Sequence, residues 1–192
     1  MTRRGAWILM AAAMLLLAGC GGGTEEPGPE VPEGTETEGF TIEGNFAEAM
    51  IEAKSGSEMS GMAIFSETDG TVTVTLEIEK AGPGIHAAHL HEFGDCSSDD
   101  GKSAGGHWNP TTDDHGKWGD EHHHLGDLGN IEVGEDGYGT LTLSTDLWSL
   151  GTGDDNDIVG LSVIVHAAAD DFTTQPTGAA GGRIGCGVVV KK

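Results

Sequence analysis

Thr71-Val72-Thr73-Val74-Thr75-Leu76-Glu77-Ile78-Glu79 alternates polar and apolar residues without a break. Side chains along a strand point to opposite faces in turn, so Val72, Val74, Leu76 and Ile78 face a core while the threonines and glutamates face water. Working outward, Glu48 to Lys54 and Met59 to Phe65 are weaker strand candidates, and Tyr138 to Leu143 alternates again after the turn signal Glu135-Asp136-Gly137. Ile158 to His166 and Ile184 to Val190 are rich in β-branched residues and read as more central strands. No stretch keeps a convincing helical period. Glycine is abundant, 33 of 192 residues, which suits loops that need positive φ angles. The pattern predicts an all-β fold, a Greek-key barrel or sandwich of about eight antiparallel strands.

A second strand segment carries chemistry. In His89-Leu90-His91 the two imidazoles share one face and Leu90 takes the other. Such a pair on a rigid strand is preorganised for a metal, and imidazole suits copper and zinc. His107, His115, His124, Asp127 and His166 follow along the chain. By the same parity His86 lies with Ala88 and Leu90, away from the pair, and is expected to be a hydrogen-bonded structural histidine.

Gly84-Ile85-His86-Ala87-Ala88-His89-Leu90-His91-Glu92-Phe93-Gly94-Asp95 resembles the copper-site strand of the copper/zinc superoxide dismutases. Gly105-Gly106-His107-Trp108-Asn109-Pro110 resembles their bridging-histidine turn, and His124-Leu125-Gly126-Asp127-Leu128-Gly129-Asn130 their zinc-site closing motif. Val165-His166 with Asp170-Asp171 is similar to the last copper ligand and its loop. Thr177-Gly178 and Gly182-Arg183-Ile184-Gly185-Cys186-Gly187-Val188 are similar to the family's arginine and disulfide segment. The resemblance runs from about Phe40 to the C-terminus.

The resemblance implies long metal-binding and electrostatic loops, with copper on His89, His91, His107 and His166, and zinc on His107, His115, His124 and Asp127. His107 is then shared as an imidazolate, which two cations make accessible. It also implies that Asp170 orients His89 and His115, that Arg183 docks a small anion beside the copper, and that Cys96 pairs with Cys186. The implied reaction is dismutation of superoxide, with Arg183 and His107 as the catalytic residues. Two departures stand out. The segment from Asp170 to Arg183 is short and has no lysine, leaving Lys102 and Lys117 as nearby candidates for steering the substrate. His122 and His123 precede His124; they could capture metal or replace it as ligand, but are expected to be exposed loop residues, and spacing to Asp127 favours His124. A non-catalytic copper- or zinc-binding lipoprotein, a buffer or chaperone, is the alternative. It would show as a missing copper ligand or a missing arginine, and neither is missing. Trp118 has two readings, part of a bacterial-type interface in a homodimer or a residue that packs a loop.

The N-terminus reads as a lipoprotein signal over residues 1–19. Arg3-Arg4 begins it, Ala6 to Ala18 is apolar, and Leu17-Ala18-Gly19-Cys20 forms a lipobox. Lipid on Cys20 would attach the protein to a membrane. Residues 20–39 are rich in Gly, Pro, Glu and Thr, the composition of an acidic, extended tether, and residues 40–192 form the folded domain. With Cys20 taken by lipid, the other two of the three cysteines, Cys96 and Cys186, have one pairing available in an oxidising compartment. The expected location is therefore outside the cytoplasm, periplasmic or on the outer face of a bacterial cell envelope. Nine basic residues against 32 acidic ones give a net charge of −23, which argues against nucleic acid as a partner.

Overall fold

The computed structural model describes residues 44–192. The signal segment, Cys20, the tether and the first residues of the expected domain lie outside the described residues. Among the described residues nine strands are present: β1 Asn45–Ala53, β2 Ser60–Thr68, β3 Thr71–Glu79, β4 Gly84–His91, β5 Asp127–Val133, β6 Gly139–Thr145, β7 Ser162–His166, β8 Arg183–Val188 and β9 Val190–Lys191. Every pairing between them is antiparallel. The order β2-β3-β6-β5-β4-β7-β8-β1 closes through the β1–β2 pair, and the two-residue β9 extends the edge of β1. This is the closed eight-stranded Greek-key barrel that the alternation predicts. It is flattened, because the β5–β6 seam has one register pair and the β1–β8 seam two.

One half of the barrel, β1-β2-β3-β6, follows directly from residue pattern. Val72, Val74, Leu76 and Ile78 of β3 are fully buried, and Phe65 and Ala63 of β2 meet them from the next strand. Asp69 and Gly70 join β2 to β3 with φ of 50° and 76°. Positive φ at both central residues gives the two-residue turn whose twist matches paired strands, and Asp-Gly is a favoured sequence for it.

The other half, β5-β4-β7-β8, positions the site. Ala88 and Leu90 of β4, with Val163 and Val165 of β7, face the core. Residues of opposite parity, His89, His91, Ile164 and His166, face outward yet are also buried, because two long loops cover that face. The 92–126 loop bears His107, His115 and His124; the 167–182 loop bears Asp170. β5 begins at Asp127, within a segment with no strand signal of its own. The β7 strand begins at Ser162, later than the expected Ile158; Ile158 is buried in the turn that precedes it.

The disulfide Cys96–Cys186 fastens the first loop to β8 across 90 residues. In the chain-entropy view such a closure contributes about 4–5 kcal/mol. Ala104, Ile164 and Cys186 form a small second core beneath that loop, with Cys96 packed on it.

Candidate metal centre

The site grows from the end of β4. His107 pairs with His91 as an isolated bridge. The bridge is framed by Glu92 N–H to Gly106 O at 3.0 Å and Trp108 N–H to Leu90 O at 2.8 Å. The third member of this stitching is Gly126, whose carbonyl accepts from Leu90 and whose N–H donates to Trp108 O. A backbone ladder therefore lays the bridging turn and the closing motif against the strand, and Trp108 and Leu128 share the core with Leu90.

Asp127 arrives by a register slip. β4 and β5 pair Ala88 with Gly129, then His89 with Asp127. Without the extra residue Leu128 would sit opposite His89 and Asp127 would share the core side with Leu90. The bulge aims the carboxylate outward among the histidines and leaves Leu128 to join the core.

Two groups of side chains converge. His89, His91, His107 and His166 offer ligand atoms within 4.8 Å of one another, and so do His107, His115, His124 and Asp127. All are buried, with His89 at 0% and His107 at 8% exposure. His107 belongs to both sets, and its ring centroid lies 3.9 Å from that of His89.

The free ring nitrogens show what these sets are shaped for. His89 Nδ1, His91 Nε2, His107 Nε2, His115 Nδ1, His124 Nδ1 and His166 Nε2 are buried and make no hydrogen bond among the described residues. Buried polar atoms are normally paired, and an orphan calls for an explanation. His115 Nδ1 and His124 Nδ1 lie 3.0 and 3.2 Å from Asp127 oxygens, yet neither is aligned as a donor. Short distance with poor alignment is what atoms aimed at a common central point produce.

The opposite ring nitrogens are held. His89 Nε2 and His115 Nε2 each donate to Asp170, to its Oδ2 and Oδ1, at 2.9 Å. His91 Nδ1 donates to Gly105 O at 3.0 Å. Fixing one nitrogen sets the tautomer and presents the other as a lone pair. His86 is spent otherwise, with Nδ1 and Nε2 each 2.8 Å from the carbonyl oxygens of His166 and Gly82.

Electrostatics prepare the same donors. Burial pushes His107 down to about 4, against the pull of Asp127, and burial with His89 alongside pushes His166 down to about 3. Burial also lowers His89 and His91. His115 moves the other way, to about 9, because Asp127 and Asp170 outweigh its burial. Both carboxyls sit below the usual range, since burial is overcome at Asp127 by the close rings of His107, His115 and His124 and the His124 backbone N–H, and at Asp170 by hydrogen bonds from His115 and His89. The lowered rings of His89, His91, His107 and His166 are neutral donors for borderline divalent cations, while His115 has to give up a proton before it can serve as a ligand.

Residues 59–189 match the model of the copper/zinc superoxide dismutase family. The chain belongs to that family. Among solved structures it is similar to the clock protein EA4, at 35% sequence identity and a TM-score of 0.68, over 77% of this chain and 94% of that one.

As in the family motif, an arginine stands next to the histidine set. Arg183 lines a cavity of about 340 Å³ together with His91, His166, Thr177, Lys102 and Asp100. Its guanidinium donates to Gly101 O at 2.7 Å and Gly105 O at 2.5 Å, so the disulfide-bound loop holds it in place. Lys102 stands on the rim and pairs with Asp100 at 2.8 Å. Lys117 does not join it; the ammonium lies over Phe172, 5.9 Å from the ring centroid, beside a different surface cavity. The expectation that Lys117 is near the entrance is corrected, because the loop turns that side chain toward Phe172.

Asp170 and Asp171 separate cleanly. Asp170 is 3% exposed between two rings, while Asp171 is exposed and accepts from Thr173 and Thr174. His122 is exposed and paired with Asp113, and Trp118 packs edge-on against Trp148 and His123.

Three supports have no counterpart among the sequence expectations. The Asn130 amide clasps the Asp170 backbone from both sides, at 2.9 and 2.8 Å. The Gln175 amide does the same for His115, at 2.8 Å each. Gly178, at φ 64°, lies so close to Asp170 that any Cβ would strike its carboxylate. Asn130 was visible only as part of the closing motif, and nothing in the residues around Gln175 marks it.

Proposed function

We propose that the protein is a superoxide dismutase, converting two superoxide ions and two protons to dioxygen and hydrogen peroxide. The observation that carries this reading is the pair of convergent donor sets sharing His107, beside a cavity where Arg183 waits. His89 Nδ1, His91 Nε2, His107 Nε2 and His166 Nε2 would hold copper. The Nδ1 atoms of His107, His115 and His124 with Asp127 would hold zinc, for which three imidazoles and a carboxylate make a closed tetrahedral site. Copper held there would supply the one-electron couple that dismutation needs.

The chain's own residues do the rest. Arg183 offers a permanent cation at the cavity wall and binds the small anion there. Asp170 keeps His89 and His115 in register with each other. His107, whose ring faces both sets, would carry one of the two protons on Nε2 once that atom is free of copper. The metal buffer or chaperone reading lacks a role for Arg183 on the cavity wall. We further place the protein outside the cytoplasm, anchored through lipid on Cys20. The lipobox supports this, and so does a disulfide suited to an oxidising compartment.

The test is His166→Ala, assayed with copper and zinc measured on the same sample. The domain should fold, and superoxide consumption should fall by more than the roughly 10–100-fold typical of a residue that merely supports a ligand. A near-normal rate with copper bound would contradict the copper assignment.

A further inference from the structure

Arg183 hangs on two carbonyls of the 92–126 loop, so its place on the cavity wall depends on what fixes that loop. The disulfide ties the Cys96 side chain to β8 but leaves the peptide planes around Cys96 free to turn about φ and ψ. The turn that follows β1 supplies the missing restraint. Lys54 Nζ donates to Cys96 O at 2.6 Å, and the Ser55 N–H donates to Asp99 O at 2.7 Å. The same turn is anchored directly beside the arginine. The Lys54 N–H donates to Ile184 O at 2.9 Å, and Ser57 Oγ donates to that oxygen at 2.6 Å.

Gly101 joins the two cations. Its φ is 69°, and a Cβ there would lie 3.3 Å from Arg183 Cβ, 3.4 Å from Arg183 Cδ and 3.6 Å from Lys54 Cγ. The bare α-carbon thus seats against both aliphatic stems while its carbonyl accepts from Arg183 Nη1. Lys54 is half-buried, and its ammonium goes to a backbone oxygen and to no carboxylate among the described residues. A hydrogen bond from a charged donor is stronger than one between neutral groups, so this one suits a clasp. Lys102 is the contrast, 77% exposed and paired with Asp100 on the rim. Ser55 lines the cavity and Lys54 stands behind it.

We propose that Lys54 is a positioning residue for superoxide binding. It pins the Cys96 carbonyl and backs Gly101, and so sets the loop carbonyls that hold the Arg183 guanidinium at the cavity. The proposal rests on the reading that Arg183 binds the anion. Without the Lys54 clasp the segment from Cys96 to Gly101 shifts, the Gly101 carbonyl moves, and the guanidinium moves with it. Misplacing such a group by about 1 Å can cost as much as roughly 10²-fold in rate.

The experiment is a double-mutant cycle on the full chain loaded with copper and zinc. It compares wild type, Lys54→Met, Arg183→Ala and the double variant by kcat/KM for superoxide, at ionic strengths of about 0.01 and about 1 M. Methionine keeps an aliphatic stem against Gly101 and loses the bond to Cys96 O. Lys54→Met should lower kcat/KM about tenfold with metal content unchanged. The factor should be the same at both salts, although the Debye length falls from about 30 Å to about 3 Å and removes any pull of the lysine charge at a distance. In the Arg183→Ala background the same substitution should change nothing. Lys54→Arg, which keeps the charge and a donor, should restore most of the rate. An unchanged rate in Lys54→Met, a loss that salt abolishes, or an equal loss with and without Arg183 would each overturn the proposal. So would a Lys54→Met protein that lacks its metals or its disulfide, since Lys54 would then serve the fold at large. A normal rate in Arg183→Ala alone would instead overturn the reading of Arg183 as the group that binds the anion.

Discussion

The two halves of the barrel bury their residues for different reasons. In β1-β2-β3-β6 one face is apolar and packed while the other is wet, and Thr73, Glu77 and Thr142 stay partly or fully exposed opposite Val74, Leu76 and Ile78. In β5-β4-β7-β8 both faces are buried at the end that carries the histidines, the inner by the core and the outer by loops, while Ile85 and Glu132 at the other end are exposed. That outer face holds six ring nitrogens with no hydrogen bond among the described residues. Removing polar groups from water without partners costs free energy, so that arrangement makes sense as a binding face and not as a core. The first half shows what alternation alone builds. The second shows a sheet face given over to chemistry, with loops, a disulfide and backbone ladders supplying the order that apolar packing supplies elsewhere.

That contrast can be broken at several points, and the effect on the site should shrink in order. Asp170→Asn keeps the shape of the side chain but loses the charge that holds His89 and His115. It should weaken metal retention about 10–100-fold in chelator competition, with an unchanged circular dichroism spectrum. Full retention would mean that the loops alone orient the two rings. Arg183→Glu comes next. It replaces the cation on the cavity wall with an anion, so kcat/KM should fall at least about tenfold while metal content stays level. An unaffected rate would remove Arg183 from substrate binding. Leu76→Ala, deep in the plain half, should leave activity per folded molecule unchanged. Denaturant unfolding should show it about 2–5 kcal/mol less stable, the usual cost of emptying a buried leucine site. Lost activity in the folded variant would mean that the two halves are coupled through the core.

The same contrast explains what could be read from the chain. Val72 to Ile78 and the pair His89, His91 obey the period of a strand, so core face and histidine face were both legible. The aim of Asp127 was not, because it depends on one extra residue, Leu128, that only pairing with β4 reveals. Gly105 serves both His91 and Arg183 through its carbonyl, and a backbone oxygen leaves no trace in residue type. Lys102 and Lys117 looked equivalent by proximity in sequence. A loop that folds back on itself put one on the cavity rim and the other over Phe172. Asp170 and Asp171 are adjacent acids of one loop, and the Asn130 clasp on the Asp170 backbone helps fix Asp170 beside the rings.

The central claim is that one copper, held by His89, His91, His107 and His166, drives dismutation. Copper titrated into the zinc-loaded protein, with superoxide consumption followed at each addition, tests it most directly. The expected result is negligible consumption with zinc alone, a linear rise with copper, and a plateau at one copper per chain. Negligible consumption after a full equivalent has bound, or a rise that continues in step with further copper, would contradict it.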